Sequence, residues 1–175
     1  QSWNDYTYGG NLQLAYSFKK GKVDGSLLFG SQFESYTMKD NTMIVGDHYD
    51  RVVLTFSDAN KSIITGDELN FSCFTQLKMR IGQHFVFNGG LRYDHKKRYN
   101  DKKLDVLSPR LSFIYKIDDD ANVKLSYSHS FVDAPYFYRA TTIATYSGGN
   151  KLDAEEMDGY QLTVSRKFPK LNLEC

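Results

Sequence analysis

The chain has 175 residues, with 22 basic side chains set against 21 acidic ones; a net charge of +1 excludes a generic polyanion binder. Aromatics reach 15% (13 Tyr, 12 Phe) while proline is scarce at three, a composition that suits pleated, half-buried β surface. No window approaches ~18 consecutive apolar residues, which excludes a membrane-spanning helix but not a membrane barrel, whose apolar face occupies only every second residue.

The first alternating run is Asn11 to Phe18, with Leu12, Leu14, Tyr16 and Phe18 on one face and Asn11, Gln13, Ala15 and Ser17 on the other. Gly21 in Lys19-Lys-Gly-Lys22 can take the positive φ of a tight hairpin. The return run, Val23 to Met38, sets Val23, Leu27, Phe29 and Phe33 against Asp24, Ser26, Gln32 and Glu34, with Leu28 an exception. At about 3.3 Å per residue such a strand is roughly 50 Å long, far beyond the norm for soluble sandwiches. Residues 39–67 read as a gap holding a small loop hairpin, Arg51 to Phe56 pairing with Ser62 to Thr65 across Asp58-Ala-Asn60.

Alternation returns at Leu69. Leu69, Phe71, Cys73, Leu77, Met79 and Ile81 oppose Asn70, Ser72, Gln76, Lys78 and Arg80, and Phe74 breaks the pattern. After Gly82-Gln-His84, the residues Phe85, Phe87, Leu91 and Tyr93 oppose Asn88, Arg92 and Asp94. His95 to Asp105 reads as a loop. Leu107, Leu111, Phe113, Tyr115 and Ile117 then oppose Ser108, Arg110, Ser112 and Lys116; Val123, Leu125, Tyr127 and Phe131 oppose Lys124, Ser126, Ser128 and Ser130. Tyr160, Leu162, Val164 and Phe168 oppose Gln161, Thr163, Ser165 and Lys167, and Pro169-Lys170 turns the chain into a last strand begun at Leu171.

Short turns at 19–22, 82–84, 118–121 and 168–170 thus alternate with long gaps at 39–67, 95–106 and 133–157. The expected fold is all-β: an antiparallel up-and-down meander with short turns on one rim and long loops on the other, a partial transmembrane β-barrel. Lys78, Arg92, Arg110, Lys116 and Lys124 lie on the polar face near mid-strand. A packed soluble core would not take that many charges, whereas a wide, wet lumen would. A meander without helices also argues against α/β enzyme folds.

Four motifs in order resemble the later barrel half of TonB-dependent outer-membrane receptors. They are Phe87-Asn-Gly-Gly-Leu-Arg-Tyr-Asp94, Ser108-Pro-Arg-Leu111, Leu125-Ser-Tyr-Ser-His-Ser-Phe-Val-Asp-Ala-Pro135 and Leu152-Asp-Ala-Glu-Glu-Met-Asp-Gly-Tyr-Gln-Leu162. The resemblance covers about residues 70 to 170, and Phe131, Ala134, Pro135, Leu152 and Glu155 match motif positions. It departs at Asp133, where the family has Arg, and at Gly149-Asn150-Lys151, where the family has Asn-Pro. A haem-transporting branch places a His between the last two boxes; none occurs here between Phe131 and Leu152.

The resemblance implies that residues 1–175 are a segment of a 22-stranded barrel, with seven complete strands, the start of an eighth and no plug domain. It implies an outer-membrane transporter in contact with lipid, with its own plug and the TonB complex as partners. The cargo would be a scarce small-molecule nutrient, an iron chelate (siderophore) or a cobalamin-like compound. No cofactor, metal or nucleic acid is expected. Two alternatives stand beside it: a complete eight-stranded outer-membrane barrel acting as adhesin or channel, and a soluble lipocalin-like carrier.

Tyr136-Phe137-Tyr138-Arg139 is the candidate ligand contact, since loop aromatics beside an Arg can stack on a planar ligand or grip an anionic chelate. Packing against the plug or neighbouring loops is the competing reading, and Pro135 with Ala134 can simply shape the loop. His48 and His95 fall in loops; His129 falls on the apolar side near a strand end. The lumenal Lys and Arg can attract an anionic substrate or pair with plug carboxylates. Cys73 and Cys175 make no disulfide framework or zinc motif. The start, Gln1-Ser-Trp-Asn-Asp, lacks the charge and apolar core of a signal peptide. With no G-x-S-x-G, H-E-x-x-H or phosphate-binding Gly loop, no catalytic residue is expected.

Overall fold

The computed structural model describes residues 2–42, 44–46, 52–55, 62–142, 152–168 and 173–174. Long antiparallel strands follow one another in a meander: β1 (Ser2–Lys20), β2 (Val23–Thr42), β5 (Gly66–Ile81), β6 (Phe85–Lys97), β7 (Lys103–Lys116), β8 (Ala121–Val132) and β9 (Glu155–Phe168). The two-residue β10 (Leu173–Glu174) adds to β9, and the sheet order is β1-β2-β5-β6-β7-β8-β9-β10, an open sheet. In the loop after β2, the short strands β3 (Ile44–Gly46) and β4 (Val52–Thr55) pair with each other.

Register carries the alternating pattern across the whole sheet. One row runs Phe18, Gly25, Met79, Phe87, Phe113, Leu125, Leu162. The rows between carry Gln13, Gly30, Phe74, Arg92, Ser108 on the opposite face. The burial is inverted relative to a soluble protein. Leu12, Leu14, Phe113, Leu125 and Leu162 are exposed, while Ser72, Ser108, Asp94, Arg98 and Arg139 are buried. An apolar face with no protein over it suits hydrocarbon, and the polar face suits an enclosed aqueous interior.

The breach of alternation at Phe74 has a packing reason. Phe74 lies on the polar face because Gly30, its neighbour on β2, has no side chain: a Cβ there would collide with the Phe74 ring. Arg92, across from it on β6, lays its guanidinium over that ring at 5.9 Å. Leu28 pairs with Gln76 on the same polar face.

The connections depart from expectation in three places. Residues 95–106 are not a long loop: β6 runs to Lys97 and β7 starts at Lys103, leaving only residues 98–102. His95 pairs directly with Asp105 and Lys97 with Lys103, and Asp101 at φ 60° closes the turn. Charged side chains hid these strand ends because beyond the hydrocarbon layer nothing requires alternation. Strand β4 takes residues 44–46 as its partner, not Ser62 to Thr65; Ile63 instead bridges to Thr141, and Asp58-Ala-Asn60 lies outside the described residues. The loop after β8 contains a short helix, α1 (Tyr136–Ala140), where none was expected. Pro135 opens it with φ −53° and lends its carbonyl to the Arg139 N–H at 3.3 Å.

At the opposite rim the turns are as short as expected. Gly21 and Gly82 sit at φ 59° and 61°, and the Asp118 carboxylate accepts the Asp120 N–H at 2.8 Å. The turn expected at Pro169-Lys170 lies outside the described residues.

Candidate functional site

Five charged side chains from four parts of the chain converge at the long-loop rim. Glu68 is near the start of β5, Lys96 near the end of β6, Arg98 just beyond it, Asp133 just past β8, and Arg139 in α1. Arg139 grips Glu68 with both terminal nitrogens, Nη1 to Oε1 at 2.5 Å and Nη2 to Oε2 at 2.8 Å. Its Nε donates to the Ala134 carbonyl at 2.6 Å, so the helix is tied to its own entrance. Asp133 accepts from Arg98 at 2.5 Å and lies 2.8 Å from Lys96, which also reaches Glu68 at 3.3 Å. Arg98 Nη1 donates to the Leu152 carbonyl at 2.9 Å, fastening the far end of the same loop.

These groups are well shielded: the side chains of Arg98, Arg139 and Glu68 are 2%, 3% and 6% exposed. Burial pushes the Asp133 carboxyl up, but the ammonium of Lys96 and the guanidinium groups of Arg139 and Arg98 more than offset it. They hold Asp133 below the usual carboxylate range.

An aromatic trio packs beside the ion pairs. The Tyr136 ring lies 5.1 Å from Tyr36 and 5.2 Å from Tyr99, with the Arg139 guanidinium 5.8 Å above it. Its hydroxyl donates to the Ile64 carbonyl at 2.8 Å, and burial holds that hydroxyl well above the ordinary tyrosine range. Tyr99 donates to the Arg139 carbonyl at 2.8 Å. Behind them the Asn41 carboxamide accepts from the Ser62 and Ile63 N–H groups and donates to the Ile63 carbonyl at 2.7 Å. Three loops thereby become one packed rim.

The candidate ligand contacts divide on this geometry. Arg139 is buried and Tyr136 half-buried, both engaged with the protein, whereas Tyr138 is 51% exposed and meets the half-buried Phe137 edge-on at 5.6 Å. Of the motif positions, Ala134 and Leu152 supply the carbonyls just described, Pro135 caps α1, and Phe131 pairs with Glu156 while Glu155 pairs with Val132. Glu68 was not singled out by the sequence, and the basic run His95-Lys96-Lys97-Arg98, which reads as a solvated loop, instead lies at the end of β6 with Arg98 only 2% exposed and Lys96 on Asp133. The signal that points to them is Asp133: an acid standing where the resembling family has Arg asks for cations in its surroundings.

The five cations share one face by register, although Lys116 is the last residue of β7 and not mid-strand. Arg92 is held there by Asp94 at 2.9 Å and donates to Ser72 at 2.8 Å. With Lys96, Arg110 and a run of serines on β7 and β8, it lines a hollow of about 820 Å³ on the polar face. Lys78 lines a smaller one of about 350 Å³ with Arg80 and Asp24. Lys78, Arg110, Lys116 and Lys124 make no ion pair among the described residues.

On the apolar face a constellation recurs. Tyr93 and His95 on β6 both meet Asp105 on β7, at 2.6 and 2.7 Å; Tyr127 and His129 on β8 both meet Asp158 on β9, at 2.8 and 3.1 Å. Each pairs an aromatic hydroxyl and an imidazole with one carboxylate, polar tips that suit an interfacial level. Among the described residues no three His, Cys, Asp or Glu side chains are grouped as a metal site, and His48 lies outside them.

An open meander, apolar outside and polar within, short-turned on one rim and long-looped on the other, defines the wall of a transmembrane β-barrel. The chain belongs to the TonB dependent receptor-like β-barrel family, whose model matches residues 1–173, and its place is the bacterial outer membrane. Membership in that family sets aside the soluble lipocalin-like carrier. Among solved structures the chain is similar to the copper transporter OprC, with a TM-score of 0.62 and 11% identity. The likeness covers 94% of this chain and 28% of OprC, so the chain spans under a third of that protein's length. No curated protein sequence matches.

Proposed function

We propose that the chain forms part of the barrel wall and outer rim of an active transporter that takes up a scarce nutrient with energy delivered through TonB. Seven long strands and the start of an eighth would be a segment of a larger barrel, with a plug domain lying against the polar face as partner. The observation that carries the reading is the polar face itself, where Lys78, Arg110, Lys116 and Lys124 lack anionic partners within the described sheet. Cations left this way suit plug carboxylates or an anionic cargo. The cargo class that fits best is a metal chelate of siderophore type, and a cobalamin-like compound is the second choice. OprC, named for copper, is consistent with metal cargo. The transporter is not an enzyme on this reading, and Phe137 and Tyr138 are its rim contacts, held by Tyr136 and Arg139.

Deleting the full-length gene and growing cells on single iron sources tests this. Loss of growth on one chelate, restored by the intact gene and not by one lacking its TonB-contacting segment, is the expected result. Unchanged growth and unchanged chelate and cobalamin binding would overturn it.

A further inference from the structure

The apolar face is not uniformly filled. Between β1, β2, β5 and β6 lies a groove of about 470 Å³. Ser31, Cys73 and Thr75 form its floor, successive outward positions on neighbouring strands where small side chains replace the Leu and Phe found elsewhere in their rows. Leu14, Phe29 and Leu91 wall it, and Tyr93 stands at one end.

Its depth follows from the register. The row of Phe29 and Leu91 lies six residues from the strand starts at Val23 and Phe85, and Tyr93 lies eight from Phe85. That is about 20 to 26 Å along the strands, or roughly 15 to 20 Å of height once strands tilt by 35–45°. In an apolar band ~25 Å tall, the groove opens into the half facing the long-loop rim. Tyr93, joined with His95 to Asp105, ends it at a polar level.

We propose that this groove is a binding slot for one acyl chain of a lipid in the outward-facing leaflet. The inference rests on the outer-membrane placement of the chain and not on the identity of the cargo. What covers this face is bilayer, and a chain seated over the small-residue floor recovers dispersion contacts that a smooth barrel wall would not offer. The polar atoms at the Tyr93 end lie where an acyl chain meets its ester, so the seated chain runs from that end toward mid-bilayer.

The test uses the full-length receptor extracted from outer membranes, followed by native mass spectrometry through steps of increasing detergent exchange. Wild type should keep one lipid after the remainder are stripped. S31F, which fills the floor, should lower that retained fraction at least about threefold through lost packing contacts. T75L is the second filling variant, and each is checked for heat-modifiable migration on gels as a sign of a folded barrel. Equal retention in wild type and a folded filling variant would overturn the proposal. So would a Cys73-linked dimer formed by oxidation in intact membranes and abolished by C73S, since a second copy would then occupy the face. Cargo uptake by S31F should stay at the wild-type level, which separates failure of the slot from failure of the transport reading.

Discussion

The two rims of the same sheet are closed by different means. At one, a left-handed glycine or a single side-chain cap turns the chain and nothing further is required. At the other, Glu68, Lys96, Arg98, Asp133 and Arg139 bring four segments together, with partners up to 71 positions apart in the chain. A turn is local chemistry. A loop of the second kind holds its place only when charges from elsewhere in the chain satisfy each other away from water, and it is that rim which presents Phe137 and Tyr138.

The largest expected effect is at the second rim. R139A leaves the buried Glu68 carboxylate with Lys96 and the Tyr99 N–H as its remaining partners, and breaking a shielded pair costs about 3–5 kcal/mol. Because α1 is tied to the wall by that pair, limited proteolysis should cut the β8–β9 loop in R139A and spare it in wild type. A loop equally resistant in both would show that the ion pair does not hold it. R139K should recover part of the protection only, since an ammonium cannot reproduce the bidentate grip.

Acid probes the same rim more gently. The Asp133 carboxyl is depressed by its cations, so its contribution is fully present above the ordinary value of about 3.9. It is lost as pH falls below that value through the folded one. Protease sensitivity of the loop should therefore rise only in that acid window, and D133N should be sensitive at neutral pH as well. A wild-type transition near pH 6 would assign the effect to histidine instead.

Within the wall, G30A should cost about 1–3 kcal/mol by driving a methyl group into the Phe74 ring. The double variant G30A/F74A should recover part of this in a denaturant titration, and additive losses would deny that the two sites pack on one another. The smallest effect belongs to the simple rim: G21A or G82A, at φ near 60°, should cost about 1–2 kcal/mol and leave the protease pattern of the far rim unchanged.

How much of this was legible depends on the range of the forces involved. The strands from Asn11 to Phe168 were readable because lipid on one side and water on the other force a period of two on every residue between them. The same reasoning failed at His95 to Asp105, where strands leave the bilayer and pair through charges. It failed again at residues 44–55, where the pairing partner of β4 had no pattern to mark it. Phe74 breaks the alternation because Gly30, its partner on β2, leaves room for the ring.

The sequence by itself determined an antiparallel wall with two unlike rims, and its motifs brought the family into view, because turn chemistry and alternation act between near neighbours. Only the tertiary structure decided that Arg139 and Tyr136 are fasteners while Tyr138 faces outward. It alone joined Asp133 to Lys96 and Arg98, and it alone hollowed a groove over Cys73. Those outcomes depend on which strands lie side by side and at what register, and side chains distant in the chain meet only after the sheet has formed.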